Sequence, residues 1–144
     1  MSMIERVRKS ERGQSLVEFT VMLVVLMVLV TGIVDASRAF FTYLAMRDAA
    51  QEGALYGSTD PTNNSAILLR VEHTSTMIED IWGDLTVTPS VIGDPCVGNT
   101  IQVTVTYDNF PLTMPFVGTF IGSSDQTIPI SASIEDTILK PPCP

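Results

Sequence analysis

Residues that usually carry out catalysis or bind metals are scarce in this sequence. Its 144 residues include one histidine, His73, and two cysteines, and they contain no HExxH, GxSxG or glycine-rich phosphate loop. Cys96 and Cys143 are too far apart for a CxxC redox or zinc pair. His73 falls on the polar face of a predicted helix and is interpreted as a surface residue. We therefore expect no enzymatic activity, no cofactor and no metal.

Positive charge is also scarce, and it is unevenly distributed. The chain has eight Lys and Arg against sixteen Asp and Glu, which gives a net charge of −8. Residues 1–13 hold four of the cations and two of the acids, a net +2, whereas the other four cations and fourteen acids leave residues 14–144 at −10. An acidic region without a basic patch argues against binding to nucleic acid or to anionic lipid.

One long apolar run is present near the N-terminus. Phe19 to Val34 is sixteen residues without a charge, preceded by Glu18 and by the basic cluster of residues 6–12. Gln14 to Asp35 would form a helix of roughly 33 Å, enough to cross a hydrocarbon core of ~30 Å. Because the basic residues precede the run, the N-terminus is predicted to lie in the cytoplasm and the chain after Asp35 outside.

The helical pattern continues beyond the apolar run. No proline occurs before Pro61, and one helix is predicted from Gln14 to about Tyr56, with Gly57 as its C-cap. At roughly 65 Å, it would lie half in lipid and half against a domain. The predicted domain-facing side recurs at steps of three and four and comprises Ala39, Tyr43, Met46, Ala50 and Ala54, with Phe40 and Leu44 on a neighbouring row.

The C-terminal part changes from a helical to an alternating pattern. A second helix is predicted from Ser65 or Ala66 to Trp82, before Gly83. Residues 85–92, 100–107 and 127–136 then alternate apolar with polar and are rich in β-branched side chains, as is typical of strands. Residues 93–99 are predicted to form a turn and residues 109–126 a long connection, while Pro89 and Pro129 favour edge positions or bulges. The predicted fold class is α+β with a small antiparallel sheet.

Residues 12–58 resemble the TadE-like minor pilins of tight-adherence pilus systems, which are type IV pilin-like proteins. The resemblance lies in a short basic leader that ends in Gly13, a glutamate five residues later at Glu18, and an Ala-Ala-x-Glu-Gly-Ala ending at residues 49–54. It implies a leader at 1–13, a long helix at 14–57 and an exported α+β domain at 58–144. It also implies a subunit that is stored in the cytoplasmic membrane and later enters a pilus at the cell surface.

The same resemblance implies how the N-terminus is processed. A prepilin peptidase would cleave after Gly13, where the lack of a Cβ makes a helix easier to open, and Gln14 would carry the new α-amine. Many type IV pilins begin with an N-methylated phenylalanine, and Gln14 departs from that pattern. Glu18 would pair with the α-amine of a neighbouring subunit during assembly. The implied partners are the peptidase, other pilin subunits and the assembly platform.

The two cysteines are expected to form a disulfide. Cys96 and Cys143 both lie in the part predicted to be exported, where an oxidising compartment permits the bond. Their pairing would hold the proline-rich C-terminal tail against the turn at 93–99, while two unpaired thiols are the alternative. Chain-entropy arithmetic puts the largest gain from such a bond at roughly 4 kcal/mol.

Several alternatives remain open at the level of sequence. Val34, Asp35 and Ala36 before Ser37 are compatible with a signal-peptidase cut, although Glu18 in the apolar run and the continuing helical pattern argue against one. The chain could also be the major filament subunit, or an uncleaved anchor for an exported binding domain. The small residues of the helix either pack on the chain's own domain or contact another subunit; they are Ala49, Ala50, Gly53, Ala54 and Gly57.

Overall fold

A computed structural model describes residues 3–114, 122 and 126–143, with side chains described from residue 13 onward. One long helix is followed by two short helices, a 3₁₀ turn and three strands. In chain order these are α1 (Met3–Gly57), α2 (Asn64–Glu72), α3 (Thr76–Ile81), the 3₁₀ turn (Trp82–Asp84), β1 (Leu85–Ile92), β2 (Thr100–Pro111) and β3 (Thr127–Thr137). The predicted α+β class is confirmed.

Helix α1 is longer than the sequence pattern predicted. It begins at Met3 rather than Gln14, and its 55 residues correspond to about 82 Å. The leader is rich in Arg, Lys and Glu, which are good helix formers, and it contains no proline to stop the helix. Gly13 therefore lies within a continuous helix. Gly57 is the last helical residue rather than a residue beyond the helix end.

The single second helix predicted from residue 65 or 66 to 82 is divided in two. Helix α2 ends at Glu72, and α3 begins after Ser75, whose backbone is extended (φ −158°, ψ 154°) and whose hydroxyl accepts the N–H of Ile78. Hydroxyl side chains favour such N-cap positions over helix interiors. The run His73-Thr74-Ser75-Thr76 therefore interrupts a helix that the apolar spacing alone would continue.

The three strands form one antiparallel sheet in the order β1-β2-β3. Leu85 of β1 pairs with Tyr107 of β2, and Thr100 of β2 pairs with Thr137 of β3. Pro89 and Pro129 lie in the two edge strands, as predicted, where the missing backbone donor costs no central ladder bond. Residues 93–99 connect β1 to β2 without regular structure. Of the long connection at 109–126, residues 115–121 and 123–125 lie outside the described residues.

The core forms where the second half of α1 crosses the sheet. Ala49 and Gly53 are buried in α1, and Ile101, Val103 and Val105 of β2 are fully buried opposite the helices. The small residues therefore pack on the chain's own domain. The predicted helix face was wrong at two members, because Tyr43 and Phe40 are exposed and Thr42 is buried instead. Helix α2 completes this core with Ile67 and Val71.

The C-terminal tail is attached to the domain by a disulfide and by backbone hydrogen bonds. Cys96 is bonded to Cys143, which confirms the predicted pairing. The N–H of Val97 donates to the carbonyl of Pro141 at 2.9 Å, and the N–H of Leu139 donates to the carbonyl of Ser58 at 2.7 Å. The tail is thus bound both to the β1–β2 turn and to the end of α1.

Candidate functional site

The N-terminal half of α1 lies outside the folded domain. Within the described residues, one helix is long and apolar enough to cross a membrane, and none of its most apolar window is buried. A core helix of a water-soluble domain would be mostly covered by its own chain, whereas here the large side chains from Leu16 to Val34 are exposed except for Val28, which is partly covered. Such a surface needs an apolar environment from outside the chain.

The hydroxyl groups in this half of α1 are satisfied within the helix. Thr20 donates to the carbonyl of Leu16 at 2.8 Å, Thr31 to that of Val28 at 3.0 Å, and Ser37 to that of Ile33 at 2.8 Å. A polar group in hydrocarbon needs an internal partner because no water is available to provide one. These hydroxyls therefore do not oppose burial of the helix in lipid.

The predicted processing and assembly residues lie together at the start of the apolar half. Gly13, Gln14 and Glu18 are all exposed, and a Cβ placed on Gly13 would meet no other atom within 4 Å. Gln14 and Glu18 are four residues apart and therefore share a helix face. Among the side chains described from residue 13 onward, none forms an ion pair or a hydrogen bond with Glu18.

At the other end of the apolar run, Asp35 makes a contact that the sequence analysis did not predict. Asp35 is only 4% exposed, and its Oδ2 accepts the backbone N–H groups of Thr113 and Met114 at 2.7 and 2.6 Å. Both donors follow β2 at the start of the β2–β3 connection. These two hydrogen bonds join α1 to the segment after β2, across 78 residues of sequence.

Arg38 lies beside this contact. Its Nη1 is 3.6 Å from Oδ1 of Asp35 and donates to Oγ1 of Thr113 at 2.9 Å, while its guanidinium lies 5.5 Å from the centre of the Phe110 ring. The i,i+3 spacing of Asp35 and Arg38 was visible in the sequence as a possible ion pair. Their partners Thr113 and Met114 carried no sequence signal, because only the sheet brings them to α1.

A groove runs between the C-terminal half of α1 and the segment around α2. It has a volume of about 450 Å³ and is lined by Asp48, Gln51, Glu52, Leu55, Arg70, His73 and Thr74. At its edge, Nδ1 of His73 is 2.8 Å from a carboxylate oxygen of Glu79, and this hydrogen bond raises the pKa of His73 above 6.5. His73 thus lies on the surface, as predicted. In the described part of the chain, no His, Cys, Asp or Glu cluster has the arrangement of a metal site.

The disulfide is remote from the processing residues. The tail that carries Cys143 is bound next to Ser58, at the far end of α1. Because α1 is continuous, Glu18 lies 40 residues before Ser58, about 60 Å along the helix axis. The predicted site residues therefore form two separate groups, one at the N-terminal end of α1 and one that attaches the C-terminal tail to the domain.

Comparison with known proteins identifies the N-terminal helix. Residues 13–55 match the family model described as "TadE-like protein", a segment that begins at Gly13 and ends within α1. No curated protein and no solved structure matches the chain. The matched segment contains Glu18, the exposed apolar half of α1 and the residues that pack on the sheet. The match covers 43 of the 144 residues, and it shows that the N-terminal helix is similar to the TadE-like family, which is consistent with a pilin-like protein of a tight-adherence system.

Proposed function

We propose that the chain is a membrane-stored pilin subunit that a prepilin peptidase cleaves between Gly13 and Gln14. The trimmed subunit then enters, or primes, a tight-adherence or type IV-like pilus. Before assembly, the N-terminus lies in the cytoplasm and residues 58–144 lie outside the membrane. The observation that carries this proposal is the bare apolar half of α1, which begins with an exposed glutamate and ends where the domain begins.

The exposed position of Gly13 supports processing at this bond. The Gly13–Gln14 bond lies in a helix, so a protease must unwind the chain locally before it can cleave. Glycine is about 1 kcal/mol less favourable than alanine in a helix interior, which makes this bond one of the easier ones to open. The open space around Gly13 also leaves room for an enzyme to approach.

The position of Glu18 supports a role in assembly. A carboxylate near an apolar run disfavours membrane insertion, by roughly 2.5–3.5 kcal/mol at mid-bilayer and by less near the interface. Cleavage would create an α-amine at Gln14, and a carboxylate and an amine about 4 Å apart attract strongly where the effective dielectric constant is low. Pairing between neighbouring subunits would offset the desolvation of both groups and would align one helix against the next.

The mature N-terminus tests this proposal. We expect mass spectrometry of the protein extracted from membranes that contain a prepilin peptidase to show loss of residues 1–13. Gly13→Ile should remain uncut, whereas Gly83→Ile is a matched control, because a Cβ at Gly83 also meets nothing within 4 Å but lies far from the bond. Cleavage before Ser37, or a retained Met1 in the presence of active peptidase, would contradict the proposal.

The amount of protein in filaments tests the assembly step. As a minor or priming subunit, the chain should be present in purified pili at far less than one copy per major subunit. An equal or greater share would make it the major filament protein instead. Complete absence from filaments, together with an uncut N-terminus, would favour an anchored exported domain.

A further inference from the structure

Two carboxylates bracket the apolar run, and the distance between them is short for a membrane. Glu18 and Asp35 enclose the uncharged residues 19–34. Seventeen helical steps separate them, about 26 Å, against a hydrocarbon core of about 30 Å. If one carboxylate lies at a boundary of the core, the other lies about 4–5 Å inside it.

These two carboxylates differ in their exposure and in their hydrogen bonds. Glu18 is exposed, so its charge is best placed in water or headgroups. Asp35 is 4% exposed, and its Oδ2 accepts two backbone N–H groups from Thr113 and Met114. Its Oδ1 is buried without a hydrogen bond among the described residues, and the charge that faces it is the Arg38 guanidinium, 3.6 Å away. Covering a carboxylate with hydrogen-bond donors lowers the cost of surrounding it with hydrocarbon. Of the two carboxylates, Asp35 is therefore the one that can lie inside the hydrocarbon core.

The domain also contacts α1 on the N-terminal side of Asp35, within the apolar run. A Cβ built on Gly32 would lie 3.2 Å from Sδ of Met114, which places Met114 beside the apolar run, one helical turn on the membrane side of Asp35. Leu112, two residues earlier, packs against the core. An apolar side chain therefore stands between Asp35 and the lipid-facing part of the helix.

Beyond Asp35 the helix carries few polar side chains for three more turns. From Ala36 to Met46 the only charged residue is Arg38, which pairs with Asp35. Phe40 and Phe41 are 58% and 62% exposed, and their rings touch edge to face with centroids 6.1 Å apart. Tyr43 follows and is also exposed. Exposed aromatic residues at this distance from a membrane span are typical of the lipid headgroup layer.

We propose that the lipid-contacting surface of this protein continues past Asp35 to the Phe40–Phe41 pair, in the outer leaflet. The inference rests on the proposed membrane span and specifies its depth. With Glu18 at the inner boundary, Phe40 and Phe41 lie about 33–35 Å further along the helix, within the outer headgroup layer. Arg38 lies at the outer boundary, where its guanidinium is within reach of lipid phosphates.

Lipid is the occupant that the arrangement favours over a second copy of the chain. Phe40 and Phe41 are adjacent in a helix and therefore project about 100° apart, and both are exposed, which suits a solvent that surrounds the helix. They also continue the exposed surface of residues 16–34 after an interruption by the covered Asp35 and by the exposed polar residues Ser37 and Arg38. A shallower placement with Gln14 at the inner boundary would leave both rings in water.

Tryptophan fluorescence in brominated lipid tests the proposed depth. The chain's single tryptophan, Trp82, is first changed to Phe, and Phe41→Trp is introduced into the full-length protein as the probe. The protein is reconstituted at low density in phosphatidylcholine vesicles brominated either at carbons 6 and 7 or at carbons 11 and 12. We expect a blue-shifted emission that loses more intensity with the shallow bromines than with the deep ones. Leu69→Trp, on the equally exposed α2, should be quenched by neither.

The same assay tests whether the hydrogen bonds to Asp35 set the depth of the helix in the membrane. Thr113→Pro removes one N–H donor to Asp35, and we expect it to reduce the quenching of the Phe41→Trp probe because a less covered carboxylate moves towards water. Asp35→Asn in the Thr113→Pro background should restore the quenching, since the neutral amide can stay submerged. Equal quenching of the probe in all three proteins would overturn the role of Asp35 in setting the depth.

Flotation of the vesicles separates this inference from the proposed span. Protein that floats with the vesicles while its Phe41→Trp probe stays unquenched would overturn the depth and leave the span intact. Emission that shifts to the blue only at high protein density would assign position 41 to contact with a second copy and would also overturn the inference. Protein that does not float would overturn both the span and this inference.

Discussion

Oδ2 of Asp35 accepts the backbone N–H of Thr113 at 2.7 Å, across 78 residues of sequence, and so attaches the turn of α1 that follows the apolar run to the segment after β2. The same oxygen accepts the N–H of Met114. The contact is buried, and it joins the C-terminal end of the apolar run to the segment that follows β2. The apolar part of α1 and the sheet are therefore packed together at this level.

We predict that loss of the Asp35 carboxylate destabilises the domain. Asp35→Ala leaves two backbone N–H groups without their acceptor and should cost about 2–3 kcal/mol of unfolding free energy. Asp35→Asn retains a carbonyl oxygen and should cost less. Urea unfolding of the full-length protein in detergent, followed by Trp82 fluorescence, measures both. Equal stability of Asp35→Ala and wild type would show that the contact contributes nothing.

We predict that Glu18→Gln separates membrane insertion from assembly. Removing a charge beside the apolar run eases insertion, so membrane fractions should contain the variant, and cleavage after Gly13 should proceed. Filaments should lose it, because the α-amine of Gln14 would be buried without a counter-charge at a cost of several kcal/mol. Immunoblots of membranes and sheared filaments provide the measurement, with Asp80→Asn on α3 as a control of equal charge change. Normal entry of Glu18→Gln into filaments would reduce Glu18 to an interfacial residue.

We predict that Gly53→Ala destabilises the protein more than Gly57→Ala does. A Cβ on Gly53 would lie 2.7 Å from Cγ2 of Val71 and 3.3 Å from Cγ1 of Val103, both on stiff β-branched side chains. On Gly57 it would lie 2.7 Å from Cδ1 and 3.2 Å from Cγ1 of Ile101, and 3.3 Å from Cδ1 of Ile67, and the nearest of these atoms is the terminal methyl of the Ile101 side chain, which can move by a χ2 rotation. Overpacking costs about 1–3 kcal/mol, against up to about 1 kcal/mol gained from helix propensity. Urea unfolding ranks the two variants, and a Gly53→Ala protein as stable as Gly57→Ala would contradict the tight packing of α1 on α2.

We predict a pH-dependent contribution from His73 and Glu79. The pKa of His73 is raised in the folded protein by its hydrogen bond to Glu79, so the stabilisation is fully present below the unfolded value of about 6.5 and is lost as pH rises through the folded pKa. In Glu79→Gln the pKa should fall towards 6.5. NMR titration reports it directly, since His73 is the chain's only histidine. An unchanged midpoint in Glu79→Gln would show that the ion pair does not form in solution.

Local periodicity was sufficient to predict much of this protein. The unbroken apolar run predicted the exposed helix, and the alternation in β1, β2 and β3 predicted an antiparallel sheet with Pro89 and Pro129 at its edges. These features follow from side-chain spacing along a single element, and spacing can be read from the chain directly. The spacing from Gly13 to Glu18 likewise led to the family that residues 13–55 match.

Only the tertiary structure determined the features that depend on residues distant in sequence or on the rotation of a helix about its axis. Packing against the domain buries Thr42 in α1 and leaves Tyr43 exposed, although Tyr43 is the more apolar of the two side chains. A small rotation of the helix about its axis changes which of two neighbouring positions contacts the sheet. The hydroxyl of Ser75 divided a helix that apolar spacing would have continued. The covering of Asp35 by Thr113 and Met114 arose only when β2 returned to α1, since backbone N–H groups are the same in every sequence and folding alone determines which carboxylate they reach.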